Sequence, residues 1–133
     1  MDEFRWPVRV YWEDTDAGGV VYHAAYLRFM ERARTEWLRA HSLDQSRLAE
    51  TPGVVFVVRG MEVKFRSPAR LDDALDVSVR LERLRRASLE IAQTVARGQE
   101  RIVEARVHVA CVDAARFKPV AIPHLILESL DHE

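Results

Sequence analysis

The sequence predicts an α+β fold in which one five-stranded antiparallel sheet wraps a single long helix. Three observations carry this expectation. One long stretch, residues 24–41, has helical periodicity. The other apolar stretches alternate with a period of two, so one sheet face is polar and the other is covered. Short turns join the later strands, which favours antiparallel pairing. A helix with one apolar stripe and a sheet with one apolar face make two layers around one core.

The first element, residues 6–12, reads as a strand, with Trp6, Val8, Val10 and Trp12 on one side and Arg9 and Tyr11 on the other. In residues 24–41, Tyr26, Met30, Ala33, Trp37 and Ala40 form one stripe, with Phe29 beside it. Arg28, Glu31, Arg32, Thr35 and Arg39 fall opposite. A loop containing Thr51-Pro52-Gly53 comes next. Residues 54–66 read as one long strand kinked at Gly60, because Val54–Val58 is β-branched and aromatic and Met61, Val63 and Phe65 alternate beyond the glycine. Pro68 and Asp72-Asp73 end it. Leu75, Val77, Val79 and Leu81 alternate with Asp76, Ser78, Arg80 and Glu82 as a third strand, and Leu89, Ile91 and Val95 mark a fourth. The turn Arg97-Gly98-Gln99-Glu100 leads into the fifth, through Val103, Val107, Val109 and Cys111. Beyond Pro119 and Pro123 there is room only for a short helix, at 124–130.

Size and composition narrow the function. The 133 residues fit one domain, 1–133, and 48% hydrophobic residues supply a core without covalent staples. Cys111, the only cysteine, rules out an internal disulfide, and its apolar setting makes it a core residue rather than a nucleophile. No signal-like or membrane-length apolar run is present, so the expected place is the cytoplasm, without membrane insertion. A net charge of −1 does not suggest a nucleic-acid partner. Basic charge rests on 18 arginines and only two lysines, Lys64 and Lys118. Arginine is a good bidentate donor to phosphate and carboxylate.

The chemistry gathers in Glu13 to Tyr26, "EDTDAGGVVYHAAY". Gly18-Gly19 lets the chain turn sharply and approach a ligand. The helix then starts near His23, and its first backbone N–H groups have no partner within the helix and lie at the positive end of its dipole. A carboxylate beside free N–H donors is a hydrolytic arrangement. One group attacks or activates water, and the others hold the developing negative charge.

The stretch "YWEDTDAGGVVYHAAYLRFMERARTEWLR" resembles the hot-dog thioesterases of the 4-hydroxybenzoyl-CoA thioesterase type. It is most similar to the Tol–Pal-associated acyl-CoA thioesterases, the YbgC-like group. The resemblance continues through "FVVRGMEVKFRSPARLDDALDV" and "CVDAARFKPVAIP", so it covers residues 4–128. It implies hot-dog topology, in agreement with the order read above. It implies acyl-CoA thioester hydrolysis with Asp16 as the catalytic aspartate. The backbone N–H at His23 becomes an oxyanion donor, and the His23 side chain is implicated in activity. Asp14 is read as positioning the loop. No cofactor or metal is required, since CoA is part of the substrate. The family also forms dimers, often paired into tetramers, with each active site between subunits. Edge-to-edge pairing of two such sheets has an independent physical reason, because it removes an exposed strand edge.

Other readings of the same residues differ in kind. Asp16 alone suits a turn or a helix cap. "DTDAGG" begins like a calcium loop, but Gly18 occupies the third ligand position and the bidentate glutamate is missing. "GGVVYH" lacks the Gly-Lys-Ser/Thr of a phosphate loop. A hot-dog dehydratase needs an acid–histidine pair set differently, and the helix has no inward histidine before His41. A module that binds acyl carrier protein or an envelope partner with little turnover is the remaining alternative. The residues leave open CoA or acyl carrier protein as the acyl donor. Arg80, Arg83, Arg85 and Arg86 cluster where a strand meets a turn, and Arg85 and Arg86 are candidates to receive the CoA phosphates. Arg66 and Arg70, flanking Ser67-Pro68, are similar candidates. His41, His108, His124 and His132 have no evident partners, and His108 reads as solvated.

Overall fold

The computed structural model describes residues 3–131. Its strands are β1 (Phe4–Arg9), β2 (Val54–Phe65), β3 (Ala74–Leu84), β4 (Ser88–Arg97) and β5 (Glu100–Asp113). The helices are α1 (His23–Ala40), α2 (Gln45–Glu50) and α3 (His124–Asp131). The strands form one antiparallel sheet in the order β1-β3-β4-β5-β2, as the alternation predicts.

The core lies between the concave sheet face and α1, which packs against β1, β3 and β4. Leu75, Val77, Val79 and Leu81 of β3 and Leu89, Ile91 and Val95 of β4 are buried on that face. Against them α1 buries Ala25, Tyr26, Phe29, Met30, Ala33, Trp37 and Leu38. The stripe therefore holds except at Ala40, the last residue of the helix, which is exposed. One polar residue interrupts the apolar contact. Gln93 is 1% exposed; its Nε2 donates to Met30 O of α1 at 3.1 Å and to Ser78 O at 3.2 Å, and its Oε1 accepts from Arg34 at 2.9 Å. Burial pushes the Arg34 pKa down.

The kink expected at Gly60 is a bulge: Val58 pairs with Val109 and Gly60 with His108, leaving Arg59 without an opposite residue. The extra residue resets the alternation, since side chains change face at every step. Val54, Phe56 and Val58 precede the bulge, and Met61, Val63 and Phe65 lie beyond it opposite Val107, Ala105 and Val103. All six thus share the concave face, and β2 delivers Phe65 to the N-terminal end of α1.

Two features differ from the sequence expectation. The first strand ends at Arg9 and does not reach Trp12. Val10 leaves the sheet to bond Asp73 O, and Trp12–Asp14 form a 3-10 turn held by the Asp14 carboxylate on Tyr11 N. That turn breaks the period of two, so Trp12 is 79% exposed. Helix α2 is the second difference. Asp44 caps it through Ser46 N, and Gln45 fastens it to β2 by accepting from Phe56 N at 2.9 Å and donating to Phe56 O at 3.3 Å.

Candidate active site

The segment between the 3-10 turn and α1 folds back on itself. Asp16 N donates to Val20 O at 2.9 Å, Gly19 N to Asp16 O at 3.0 Å, and Tyr22 N to Asp14 O at 2.9 Å. Gly19 has φ +79, a left-handed conformation that other residues adopt only with strain. The two carboxylates of the D-x-D sequence take different roles. Asp14 is buried; its Oδ2 accepts from Tyr11 N at 2.8 Å and its Oδ1 lies 3.5 Å from Arg28. Asp16 is exposed, and its Oδ1 accepts from Gly18 N at 2.8 Å. Asp16 Oδ2 makes no hydrogen bond to the described residues. The turn reading of Asp16 is therefore correct for one oxygen, and the other is available for chemistry.

Helix α1 starts at His23 with Tyr22 as its N-cap, and no side chain caps it. Ala25 N is taken by Tyr22 O at 2.8 Å. The N–H groups of His23 and Ala24 have no partner among the described residues. With the helix dipole behind them they form a site for negative charge. Asp16, Val20, Val21, His23, Tyr26, Phe65, Arg66, Ser67 and Pro68 line one open cleft. The His23 imidazole is flanked by Tyr22, with ring centroids 4.4 Å apart, and by Phe65 at 6.2 Å.

The fold thus brings Asp16 and His23 together. It also brings Arg66 to the cleft, where its guanidinium pairs with Glu104. Arg85 and Arg86 lie at the β3–β4 turn, beside His124, Leu127, Glu128 and Asp131 of α3. That is the far end of β3, the opposite end of the strand from the 67–73 segment beside the cleft. Arg70 bridges Val20, and its N–H is held by Asp73 at 2.8 Å. A separate, smaller cavity lies between α1 and the sheet, lined by Arg34, Trp37, Phe56 and Ile91 among others. It touches neither Asp16 nor His23.

The histidines outside the loop do have partners. His108 lies between Glu62 at 3.0 Å and Glu90 at 3.1 Å, and the hydrogen bond from His108 holds the Glu62 pKa down. His41 bonds Ser129 O at 3.1 Å, and His124 lies 2.9 Å from Glu128. His132 lies outside the described residues. Strand pairing makes the His108 contacts, which a single strand's pattern does not show. Cys111 is buried, and burial raises its thiol pKa. Among the described residues no group of acids, histidines and cysteines suits a metal, and no helix is long and apolar enough to cross a membrane.

A sheet wrapped around one helix, with an acidic loop and free amides at the helix start, defines the hot-dog thioesterase class. The chain belongs to the thioesterase-like superfamily, which it matches over residues 10–130. It is 50% identical to the acyl-CoA thioester hydrolase YbgC of Escherichia coli O6:H1, over 93% of this chain and 92% of that protein. It is 44% identical to the acyl-CoA thioesterase YbgC of Haemophilus influenzae, over 97% and 95% of the two chains. A probable thioesterase from Bartonella henselae superposes with a TM-score of 0.87 at 38% identity, over 92% of this chain and 100% of that one.

Proposed function

We propose that this chain is an acyl-CoA thioesterase that hydrolyses an acyl-CoA thioester to the free acid and CoA, with Asp16 and the first amides of α1 as its reacting groups. One observation carries the reading: the Asp16 carboxylate and the unpartnered His23 amide open on the same cleft. The thioester oxygen accepts from the N–H groups of His23 and Ala24, which hold the charge that develops on it. Asp16 Oδ2 then acts in one of two ways. It attacks the carbonyl carbon to form a mixed anhydride that water later opens, or it takes a proton from the water that attacks. In both, the C–S bond breaks and CoA leaves as a thiolate that needs little acid help. The His23 imidazole stands beside the same point to orient water or the leaving group.

The working unit is a dimer, and the two sheet edges differ in a way that supports this. Edge strand β1 has six residues and carries Pro7, which has no N–H to offer a neighbour. Edge strand β2 has 12 residues and exposes Val58 and Phe65. Pairing β2 with β2 of a second copy about a two-fold axis buries that edge. The pairing is antiparallel, so the Val54 end of the partner strand meets the Phe65 end of this one. The β3–β4 turn shares the Val54 end of the sheet. Arg85 and Arg86 of one copy then face the same end as the cleft of the other, where they receive CoA phosphates. We assign the activity to the cytoplasm. Its link to the Tol–Pal envelope system rests on the resemblance alone.

The test follows free-thiol release from short, long and aromatic acyl-CoAs, with wild type and Asp16→Asn compared. Wild type hydrolyses some member of the panel. The variant loses roughly a hundredfold or more, about 3 kcal/mol of transition-state stabilisation. Equal, slow release by both proteins would make Asp16 a turn residue only. Single turnover in isotopically labelled water tests the anhydride route, because label enters the Asp16 carboxylate only when water opens an aspartyl anhydride at the aspartyl carbon.

A further inference from the structure

The reacting groups sit on two frames: the amides belong to α1, and Asp16 belongs to the loop before it. The covalent link between them runs through Gly18-Gly19, the most permissive backbone in the loop. Hydrogen bonds must set the spacing: Tyr22 N to Asp14 O ties the N-cap to the loop, and the body of α1 provides a second path. Tyr26 Oη accepts from Ala69 N at 3.0 Å. Ala69 O accepts from Val21 N at 2.8 Å, and Val20 O accepts from Asp16 N at 2.9 Å. Val20 also bridges Arg70 in antiparallel fashion. Every member of the inner part is buried: Tyr26 is 3% exposed, Ala69 0% and Val21 5%.

The 67–70 segment is fixed from its other side as well. Arg97 of β4 donates to Pro68 O and pairs with Asp73, and Asp73 in turn accepts from Arg70 N. The segment is therefore a short rigid template between the sheet and the loop. The Tyr26 hydroxyl is the direct hydrogen bond from α1 to that template. Burial among Phe29, Phe65 and Ala69 raises the tyrosine pKa and keeps the hydroxyl neutral.

We infer that Tyr26 is a positioning residue for thioester hydrolysis, whose hydroxyl, through Ala69 and Val20–Val21, sets the distance between the Asp16 carboxylate and the amides at the start of α1. This rests on the assignment of Asp16 and those amides as the reacting groups. A 1 Å error in such a distance is enough to lose much of the rate.

The test is Tyr26→Phe, which deletes one oxygen and keeps the ring packing. It is run beside wild type and Asp16→Asn, with steady-state kinetics and amide hydrogen exchange. The expected result is a kcat lower by roughly tenfold with KM within about twofold, and faster exchange at the Ala69 and Val21 amides. An unchanged kcat in Tyr26→Phe, with Asp16→Asn inactive, overturns the inference. A raised KM at unchanged kcat also overturns it, because it makes Tyr26 a substrate contact. If Asp16→Asn keeps wild-type activity, the assignment of Asp16 fails on its own, and a positioning role toward Asp16 falls with it. Exchange at Val21 then still reports whether the Tyr26–Ala69 clamp exists.

Discussion

The Asp16 carboxylate holds the Gly18 amide at 2.8 Å, and this contact sets the two glycines of the pair apart. A Cβ placed on Gly18 would stand 3.2 Å from Asp16 Oδ1, so the carboxylate would have to give way. A Cβ on Gly19 would meet nothing within 4 Å, but the residue's φ of +79 strains any L side chain. Gly18→Ala therefore lowers thioesterase activity with little change in stability. Gly19→Ala costs roughly 1–2 kcal/mol of stability. Activity assays paired with urea melts distinguish the two.

Asp14 and Asp16 separate in the same manner. Removing the buried Asp14 carboxylate takes away the acceptor that holds the Tyr11 amide and the 3-10 turn, and the counter-ion of the half-exposed Arg28. Asp14→Ala is expected to lose roughly 1–3 kcal/mol of folding stability. Asp16→Asn is expected to leave the melting temperature near that of wild type and to abolish turnover. Thermal melts of both variants check this contrast. An equally large stability loss in Asp16→Asn would count against its assignment.

Gln93 joins helix to sheet, and its replacement by leucine strands three polar partners at once: Met30 O, Ser78 O and Arg34. Gln93→Leu should destabilise by roughly 1–3 kcal/mol or more, since a partly buried cation loses its acceptor. Arg34→Met in the same chain should recover part of that loss, because both sides of the broken contact become apolar. Chemical denaturation of the two single variants and the double variant measures the coupling.

Asp73 gives a pH dependence with a definite sign. Burial pushes its carboxyl upward, but the Arg70 amide and the Arg97 guanidinium outweigh it and hold the pKa below the ordinary 3.8. A carboxyl depressed on folding stabilises the protein at pH above its unfolded pKa. That contribution disappears as pH falls through the lower folded value. The melting temperature of wild type should exceed that of Asp73→Asn at neutral pH. The gap should shrink below about pH 4, which a pH series of melts reads directly.

Much of the fold is legible in local pattern. Helix α1, strands β3 to β5, the kink at Gly60 and the Arg97–Glu100 turn all arise from periodicity and turn residues. The end of β1 is not legible, because Val10 and Trp12 continue the alternation past the point where Val10 bonds Asp73, a residue distant in sequence. Helix α2 is hard to see because six residues with one buried leucine carry little periodicity, although Asp44 before Gln45-Ser46 is a usable cap signal. In the candidate site, Gly18-Gly19 is legible from its turn chemistry, whereas Asp16 and His23 are named through the resemblance of the whole stretch, since Asp16 alone reads as a turn residue. Tyr26 shows only as a core residue on the helix stripe, since its hydroxyl partner lies on another segment.

The sequence by itself determined the long helix, the five strands, their layering and the loop that carries the carboxylate, because local periodicity and turn residues set each of them. Only the tertiary structure decided which acid is held and which is open, that the bulge at Arg59 turns Phe65 toward the cleft, and that Ala69 stands between Tyr26 and Val21. Those relations join distant segments, such as Tyr26 and Ala69 with a separation of 43. Strand pairing and burial set them, and no local spacing encodes a distance of that kind.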